Sequence, residues 1–413
     1  MADADFSTVG YIAKQTYTDE RRVFNAASRD RVLLTKVAKK KFAKGSSFRP
    51  AIIFANNQGL SHTYSSIDGN QSPTQGTQWD IQTAESHGKM TINAKLMHET
   101  AGQGAAYVEA IENEIDSNLD NFGAWLGREL YGDGLSIMGV MTNAAFATTT
   151  MTLAVAATAR NFGKGQIIQL VNPGVGTRAG TLTVAAINDS PGVGTITTTA
   201  NISTGVAAAA QNDQVVNNGD YNLGGKGLAA WVPLTSPSAT AFFGVDRTQD
   251  VVSLAGNRLN QSALGYEDII ITLGAMIFQA GGKPDWGFMN PLRWADMAKT
   301  QQARIMIEET SKQSGDATSE IGFQYLSAAT PAGPCKIYPD PSLTDDLLYL
   351  CESKSMGVIY AGPGFPHINR DDGLWARKAT GPNVKDAVEV HTRAYWQFWL
   401  KCPSHFGVAA LPT

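Results

Sequence analysis

The chain has 413 residues, of which 43% are hydrophobic and 17% charged, with a formal net charge of −4 and a mean hydropathy of −0.16. This length exceeds what one hydrophobic core usually serves, so two or three globular units are expected. The slight acidity argues against a dedicated nucleic-acid binder, whose affinity comes from clustered Lys and Arg side chains that neutralise phosphates.

Neither a signal peptide nor a membrane span is indicated. The first ten residues are acidic and polar, where a signal peptide would be basic and then apolar. The most apolar long run, residues 269–278, has about half the length that a bilayer requires. The three cysteines are far apart and odd in number, which indicates neither a disulfide framework nor paired metal ligands. We therefore expect a protein made in the cytoplasm, without membrane partner, metal or cofactor.

Residues 1–45 carry a local excess of positive charge that ends in the run Lys39–Lys41 and Lys44. Residues 32–37 fit a single helical or extended turn, and no amphipathic pattern is sustained. We predict a basic arm that lies across a surface rather than building a core. A flexible, solvated terminus is the alternative.

An extended arm is predicted over residues 46–100. An apolar run at residues 52–54 indicates one strand, and apolar residues alternate with polar ones near Trp79 and Met90, which is also typical of strands. Residues 56–78 between them are rich in Asn, Gln, Ser, Gly and Thr. A hairpin of this kind cannot bury both of its own faces, so we expect the arm to lie on something else.

The longest periodic element is a helix predicted over residues 104–131, because apolar residues recur there at spacings of three and four. Four acidic residues repeat beside this stripe and form what we call the acidic ridge, which faces water or a basic partner: Glu109, Glu112, Asp116 and Asp120. Gly123 and Gly127 interrupt the helix on one face. Either another backbone approaches closely there or the helix bends.

Composition shifts sharply after this helix. Residues 148–220 are poor in charge and contain short β-prone runs separated by Gly and Pro turns, which predicts a small inserted sandwich or barrel. Helices and strands then mix. We predict a helix over residues 266–280, a strand over 286–289, a helix that starts at Pro291, and strands at 337–338 and 347–351. Long strands at 388–400 and 406–411 close the chain.

Signatures of enzymes are missing where they are easiest to recognise. The sequence contains no HExxH, no GxSxG and no Walker loop. Gly174, Gly176 and Ala179 match a permissive dinucleotide fingerprint, but a β-prone run follows where a phosphate-binding helix should begin. The six histidines do not cluster at metal-ligand spacing, and a structural or surface role is favoured for each. We expect no catalytic residue and no enzyme.

The order of these elements resembles the major capsid proteins of tailed bacteriophages, with the Hong Kong ninety-seven type fold that encapsulin shells share. Three stretches carry the likeness. Residues 285–291, with Trp294 one turn on, look like the family's strand, Asn-Pro and helix. Residues 333–357 are similar to its paired strands and small-residue turn. Residues 390–394, followed by Pro403 and Phe406, look like its closing strand.

The resemblance implies an α+β phage capsid fold with an N-terminal arm (1–45), an extended E-loop (46–100) and a peripheral domain containing the spine helix (101–147). It further implies an inserted β-rich domain (148–220), an axial domain (221–366) and C-terminal strands of the peripheral domain (367–413). The implied function is a major capsid protein that self-assembles into an icosahedral head around double-stranded DNA. The shell would belong to the virion and assemble in the host cytoplasm.

The implied partners are copies of the chain in hexamers and pentamers, a portal, separate scaffolding or decoration proteins, and packaged DNA bound without sequence specificity. We expect Arg49, Lys89 and the run Lys39–Lys41 to meet the acidic ridge of a neighbouring subunit. An encapsulin-like nanocompartment is the alternative within the fold. A β-rich surface-binding protein or adhesin is the alternative outside it, and it leaves the long helix unexplained.

Overall fold

The structure is a computed structural model of the whole chain. It describes residues 31–41, 47–93, 105–190, 192, 194–261, 263–300, 325–344, 346–362, 364–365, 367–368, 377–378 and 387–412. For residues 91–93, 105–116, 300, 367–368, 377–378 and 387–390 only the backbone is described. The chain divides into two compact units. Residues 88–93, 105–121, 377–378 and 387–391 represent one, and the other described residues represent the second.

The described residues form seven α-helices, which are α1 (Val32–Lys36), α2 (Ala105–Glu129), α3 (Ile202–Gly205), α4 (Leu228–Trp231), α5 (Val251–Ala255), α6 (Tyr266–Gln279) and α7 (Pro291–Thr300). Up to residue 217, the described strands are β1 (Lys39–Lys41), β2 (Ala51–Ala55), β3 (Gln75–Gln78), β4 (Ala84–Asn93), β5 (Ile137–Val140), β6 (Thr150–Thr152), β7 (Ile167–Asn172), β8 (Gly176–Thr177), β9 (Leu182–Asn188), β10 (Thr195–Thr198) and β11 (Gln214–Asn217). The later strands are β12 (Asn257–Leu259), β13 (Trp286–Met289), β14 (Leu326–Thr330), β15 (Gly333–Pro339), β16 (Leu347–Cys351), β17 (Met356–Ala361), β18 (His367–Ile368), β19 (Arg377–Lys378), β20 (Ala387–Leu400) and β21 (Gly407–Ala410).

Helix α2 confirms the predicted long helix and ends where its apolar stripe enters the main core. Phe122 and Leu126 are buried, as is Leu130 just beyond the helix. A Cβ atom at Gly127 would stand 2.8 Å from the hydroxyl oxygen of Ser342, and one at Gly123 would overlap the guanidinium of Arg31. The expectation that another backbone approaches there is therefore corrected, because the two glycines make room for side chains. The alternative of a bend in the helix stays a prediction.

Helix α1 corrects the prediction for the N-terminal arm. Leu33, Leu34 and Val37 are buried in the main core, and β1 pairs in parallel with β17. One short helix suffices to turn these three apolar side chains inward, while the lysines of β1 stay exposed. This segment therefore builds core, although a surface arm or a solvated terminus was predicted. The rest of the predicted arm, residues 1–30 and 42–45, lies outside the described residues.

A six-stranded mixed sheet follows the prediction for the second half of the chain. Its strand order is β12–β21–β16–β13–β15–β14, with β13 parallel to β15 and antiparallel to β16. Ile269, Leu273 and Ile277 of α6 pack against this sheet in one core cluster. The predicted helix at 266–280, the strands at 286–289 and 347–351, and the helix start at Pro291 are confirmed.

The long closing strand β20 organises a second sheet. It pairs antiparallel with β17 and β18, and both β4 and β19 also pair with it. Trp396 and Phe398 of β20 are fully buried. The aromatic and β-branched run that predicted this strand therefore has two roles. Its backbone pairs with the neighbouring strands, and its buried side chains form part of the main core.

The low-charge segment forms a seven-stranded antiparallel sheet around its own core, in the order β5–β11–β7–β9–β10–β6 with β8 beside β7. A bridge between Met141 and Leu153 joins the two edges of the sheet, as in a small barrel. The sheet begins with β5, before the predicted start at residue 148, because Met138 and Met141 belong to this core. Half-buried Arg178 forms a bidentate pair with the buried carboxylate of Asp213.

The carboxyl group of Asp340 joins three parts of the main core. Its Oδ2 accepts hydrogen bonds from the backbone N–H of Leu33 at 2.9 Å and from the hydroxyl of Tyr131 at 2.8 Å. Its Oδ1 accepts one from the backbone N–H of Ser342 at 2.9 Å. Burial raises the pKa of Asp340 above its ordinary value, and these three hydrogen bonds oppose the rise. One side chain thus ties α1, the end of the long helix and the turn after β15.

Replacing Asp340 by Ala should destabilise the chain strongly. The substitution leaves the buried donors of Leu33 and Tyr131, and the half-buried donor of Ser342, without an acceptor. Each buried donor left in this state costs about 1–3 kcal/mol. We expect the unfolding free energy in urea to fall by about 3 kcal/mol or more. Asp68→Ala, at an exposed carboxylate, is the matched control and should leave the midpoint unchanged. Equal midpoints for the two variants would contradict the role of Asp340.

Candidate functional site

The extended arm is attached at what we call the arm base, residues 47–50 and 79–81. Phe48 and Ile81 exchange two backbone hydrogen bonds, of 2.8 and 2.9 Å, and the N–H of Trp79 donates to the carbonyl of Pro50. The ring of Phe48 packs edge-on against Trp399 with centroids 5.0 Å apart. Both strands of the arm therefore leave from a fixed point.

The side chain of Trp79 enters an aromatic socket formed by Trp231, Phe242 and Phe243. Trp79 is 1% exposed, and its ring lies 5.1 Å from that of Trp231. Phe243 has a φ of 48° in a tight turn, a conformation that costs an L-residue on the order of 1–2 kcal/mol. The backbone N–H of Asp80 donates to the carbonyl of Phe243 at 2.9 Å. The arm base therefore helps to hold the strained turn that receives it.

Two cations lie over the rings of the aromatic socket. The Arg247 guanidinium is 4.1 Å from the centroid of Phe242, and Lys226 Nζ is 4.6 Å from that of Phe243. Arg247 also donates to the carbonyl of Ala230 at 2.7 Å. Burial, and then the charge of Arg258, lowers the pKa of Arg247 to about 10. These cations thus hold the socket in place through ring and carbonyl contacts.

Beyond its base the arm has no core of its own. Among the described strands, β2 and β3 pair only with each other. The structure describes every residue from Ile53 to Gln78, and none of these residues is buried. Ile53, Leu60 and Tyr64 are 64%, 79% and 94% exposed. We call residues 56–74 the arm tip. Its large apolar side chains lack cover within the described chain, as expected for a segment that lies on a partner.

The predicted basic contact residues take separate positions. Arg49 donates from Nε to Asp80 Oδ1 at 2.9 Å and to Ser47 at 3.2 Å, so its described contacts lie within the arm base. Lys89 is exposed on β4, and the lysines of β1 are exposed at the edge of the second sheet. Their pairing with the acidic ridge of a neighbour stays a prediction.

The acidic ridge lies on α2, as its spacing required. Glu109, Glu112 and Asp116 fall in the part of the helix described by backbone alone, and their intervals of three and four residues place them on one side of it. Asp120 is half-buried. Among the residues with described side chains, no group of three His, Cys, Asp or Glu is placed to hold a metal ion. No helix in that part of the chain is long and apolar enough to cross a membrane.

Sequence reasoning missed the aromatic socket. Trp231, Phe242 and Phe243 come from a stretch without clear periodicity, and their contact with Trp79 joins residues far apart in the chain. The one local signal was Phe243-Gly244, because a two-residue turn with positive φ at both positions favours Gly at the second. That signal indicates a turn but does not reveal what packs on it.

The fold is similar to that of a chain in one solved phage capsid. No protein-family model and no curated protein matches the chain. The chain in the cyanophage A-1(L) capsid asymmetric unit has a TM-score of 0.53 at 9% identity, covering 95% of this chain and 96% of that chain. A structure from Microbacterium phage Oxtober96 has a TM-score of 0.47 at 10% identity and full coverage of both chains. The SrpI encapsulin of Synechococcus elongatus has a TM-score of 0.47 at 8% identity, covering 99% and 96%.

The similarity to the cyanophage chain extends over nearly the whole of both chains. The predicted α+β class and the phage capsid fold are therefore confirmed. At 9% identity the similarity establishes the fold and leaves the function to be proposed.

The contacts of the arm base predict that one substitution lowers stability strongly and that another leaves it unchanged. Trp79→Ala removes a buried indole from the aromatic socket and should lower the unfolding free energy by about 3–5 kcal/mol. Arg49→Gln removes an ion pair whose side chains are 63% and 41% exposed, so the unfolding midpoint should not change measurably. Urea unfolding monitored by tryptophan fluorescence checks both. A larger loss from Arg49→Gln than from Trp79→Ala would contradict this description of the arm base.

Proposed function

We propose that the chain is a major capsid protein that assembles into the closed shell of a tailed phage. The observation that carries the proposal is the capsid fold over 95% of the chain. The exposed arm adds physical support, since a segment without a core becomes buried when copies of the chain repeat in a closed shell. The role is structural rather than enzymatic.

The finer assignments belong to the same proposal. Within the Hong Kong ninety-seven type, residues 46–100 act as the E-loop, α2 is the spine of the peripheral domain, and the six-stranded mixed sheet belongs to the axial domain. The barrel-like segment is the inserted domain. Copies of the chain form hexamers and pentamers, with a portal and separate scaffolding or decoration proteins as further partners. The shell encloses double-stranded DNA without reading its sequence and assembles in the host cytoplasm.

Electron microscopy of the full chain, expressed alone and with a scaffolding protein, tests the proposal. We expect closed, hollow shells of uniform size, and sedimentation should place most of the protein in them. Shells that contain a cargo enzyme would favour the encapsulin-like alternative. A compact monomer that never assembles under either condition would overturn the proposed function.

Reversing charges on the acidic ridge should impair assembly without impairing folding. We propose that the ridge meets Arg49, Lys89 or the β1 lysines of a neighbour, so Glu112→Lys with Asp116→Lys places like charges together at that interface. We expect soluble subunits with fewer shells by sedimentation, and a stronger defect at low salt because screening is weaker.

A matched control reverses two acids in the inserted domain, Asp189→Lys with Asp220→Lys. This variant has the same change in net charge and should assemble normally. Shell yields equal to wild type for the ridge variant would refute the proposed ridge contact.

A further inference from the structure

The sequence contains a single Asn-Gly pair, Asn218-Gly219, and it lies in the turn that follows β11. The backbone N–H of Asp220 donates to the carbonyl of Asn217 at 3.1 Å and closes this turn. Gly219 has a φ of 84°, a conformation that glycine adopts without steric cost. The turn therefore joins an amide side chain to a glycine, whose backbone nitrogen no side chain covers.

The pair lies on the surface with open space around it. Asn218 and Gly219 are both exposed. A Cβ atom at Gly219 would have no neighbour within 4 Å among the described residues, apart from the residues next to it in the chain. Water therefore reaches both residues, and no described group crowds a ring that forms between them.

The groups that would react are free of hydrogen bonds within the described part of the chain. The side-chain amide of Asn218 neither donates nor accepts one there, and the backbone N–H of Gly219 donates none. The preceding residue, Asn217, differs, because its side chain donates to Asp220 Oδ2 at 2.7 Å. One of two adjacent asparagines is thus held in place, and the other is free to turn its side chain towards Gly219.

The backbone of the turn is fixed at one end and loosely closed at the other. The N–H of Asn218 donates to the carbonyl of Ile167 at 3.1 Å, which ties the start of the turn to β7. The hydrogen bond from Asp220 to Asn217 closes the turn around the exposed Gly219. An exposed turn bond of this kind opens at little cost in free energy, so the Gly219 nitrogen can approach the Asn218 side chain.

The other asparagines serve as internal controls, because none of them precedes a glycine. Asn257 is buried, and Asn57 accepts a hydrogen bond from the N–H of Gly59 at 2.8 Å. Asn222 is the best match to Asn218, since it is exposed and its side chain makes no hydrogen bond to a described residue. It is followed by Leu223, so it isolates the effect of the glycine.

We propose that Asn218 is a modification site that deamidates spontaneously, because the backbone nitrogen of Gly219 displaces the side-chain amide. The exposed turn, the open space at Gly219 and the unbonded amide carry this proposal. Both reacting groups belong to one chain and close a five-membered ring, which gives them a high effective concentration. The proposal does not depend on assembly into a shell.

The reaction balances with water as the one co-reactant. The Gly219 nitrogen gives its proton to solvent and forms a bond to Cγ of Asn218. The bond from Cγ to Nδ2 breaks, and Nδ2 takes up a proton and leaves as ammonia. Water then opens the succinimide ring. Cleavage between the nitrogen and Cγ gives aspartate, and cleavage between the nitrogen and the α-carbonyl carbon gives isoaspartate. Either product places a new negative charge near Asp220.

The test incubates the folded full-length chain in mildly alkaline buffer and follows each asparagine by peptide mapping with mass spectrometry. We expect Asn218 to lose its amide at a rate within about tenfold of its rate in the chain unfolded by guanidinium chloride, because the exposed turn opens readily. Asn222 should keep its amide over the same time. An Asn218 amide that stays intact in the folded chain while the unfolded chain reacts would overturn the proposal.

Variants test whether the glycine admits the attack. Gly219→Ala places a methyl group beside the nitrogen and should remove most of the product at Asn218. Leu223→Gly places a glycine after Asn222, at a side chain that is 66% exposed, and should make Asn222 lose its amide as well. If Gly219→Ala disturbs the turn, the second variant still decides the outcome. An Asn222 amide that stays intact in Leu223→Gly would overturn the role of the glycine.

Discussion

The arm that cannot bury itself is the constraint on which the rest of the structure depends. From Ile53 to Gln78 the chain makes a two-stranded ribbon without a single buried residue, and it presents Leu60 and Tyr64 to solvent. Such a ribbon is at best marginally stable in water. A protein that retains it needs a firm attachment at one end and a surface to receive the other.

The attachment is supplied by the main core. Trp79 inserts into aromatic rings whose positions are held by Arg247 and Lys226, and the Asp80 backbone bonds the strained Phe243 turn. Deeper in the same core, the Asp340 carboxyl group binds α1 and the end of the long helix. Rigid packing behind a projecting segment lets the segment be placed accurately on a neighbour, which suits repetition in a shell.

Local periodicity explains what the sequence predicted and what it did not. Apolar residues recur at helical spacing in the long helix, and they form β-prone runs in the strands around Trp286 and Leu347 and in the closing strand. The type and the approximate bounds of these elements could therefore be predicted from the sequence. Helix α1 was misjudged because five residues show too little of a pattern to distinguish core from surface. The aromatic socket, the Arg31 approach to Gly123 and the Asp340 hydrogen bonds depend on residues brought together by tertiary folding, which spacing in one sequence does not encode.

Amide hydrogen exchange of the arm tip, residues 56–74, compared between free subunits and purified shells, tests most directly whether assembly buries the arm. The tip should exchange fast in free subunits, because its residues are exposed and its backbone hydrogen bonds lie in short turns. In shells its exchange should slow markedly, while the arm base is protected in both states. Equally fast exchange of the tip in closed shells would show that the arm stays uncovered and would contradict the central claim.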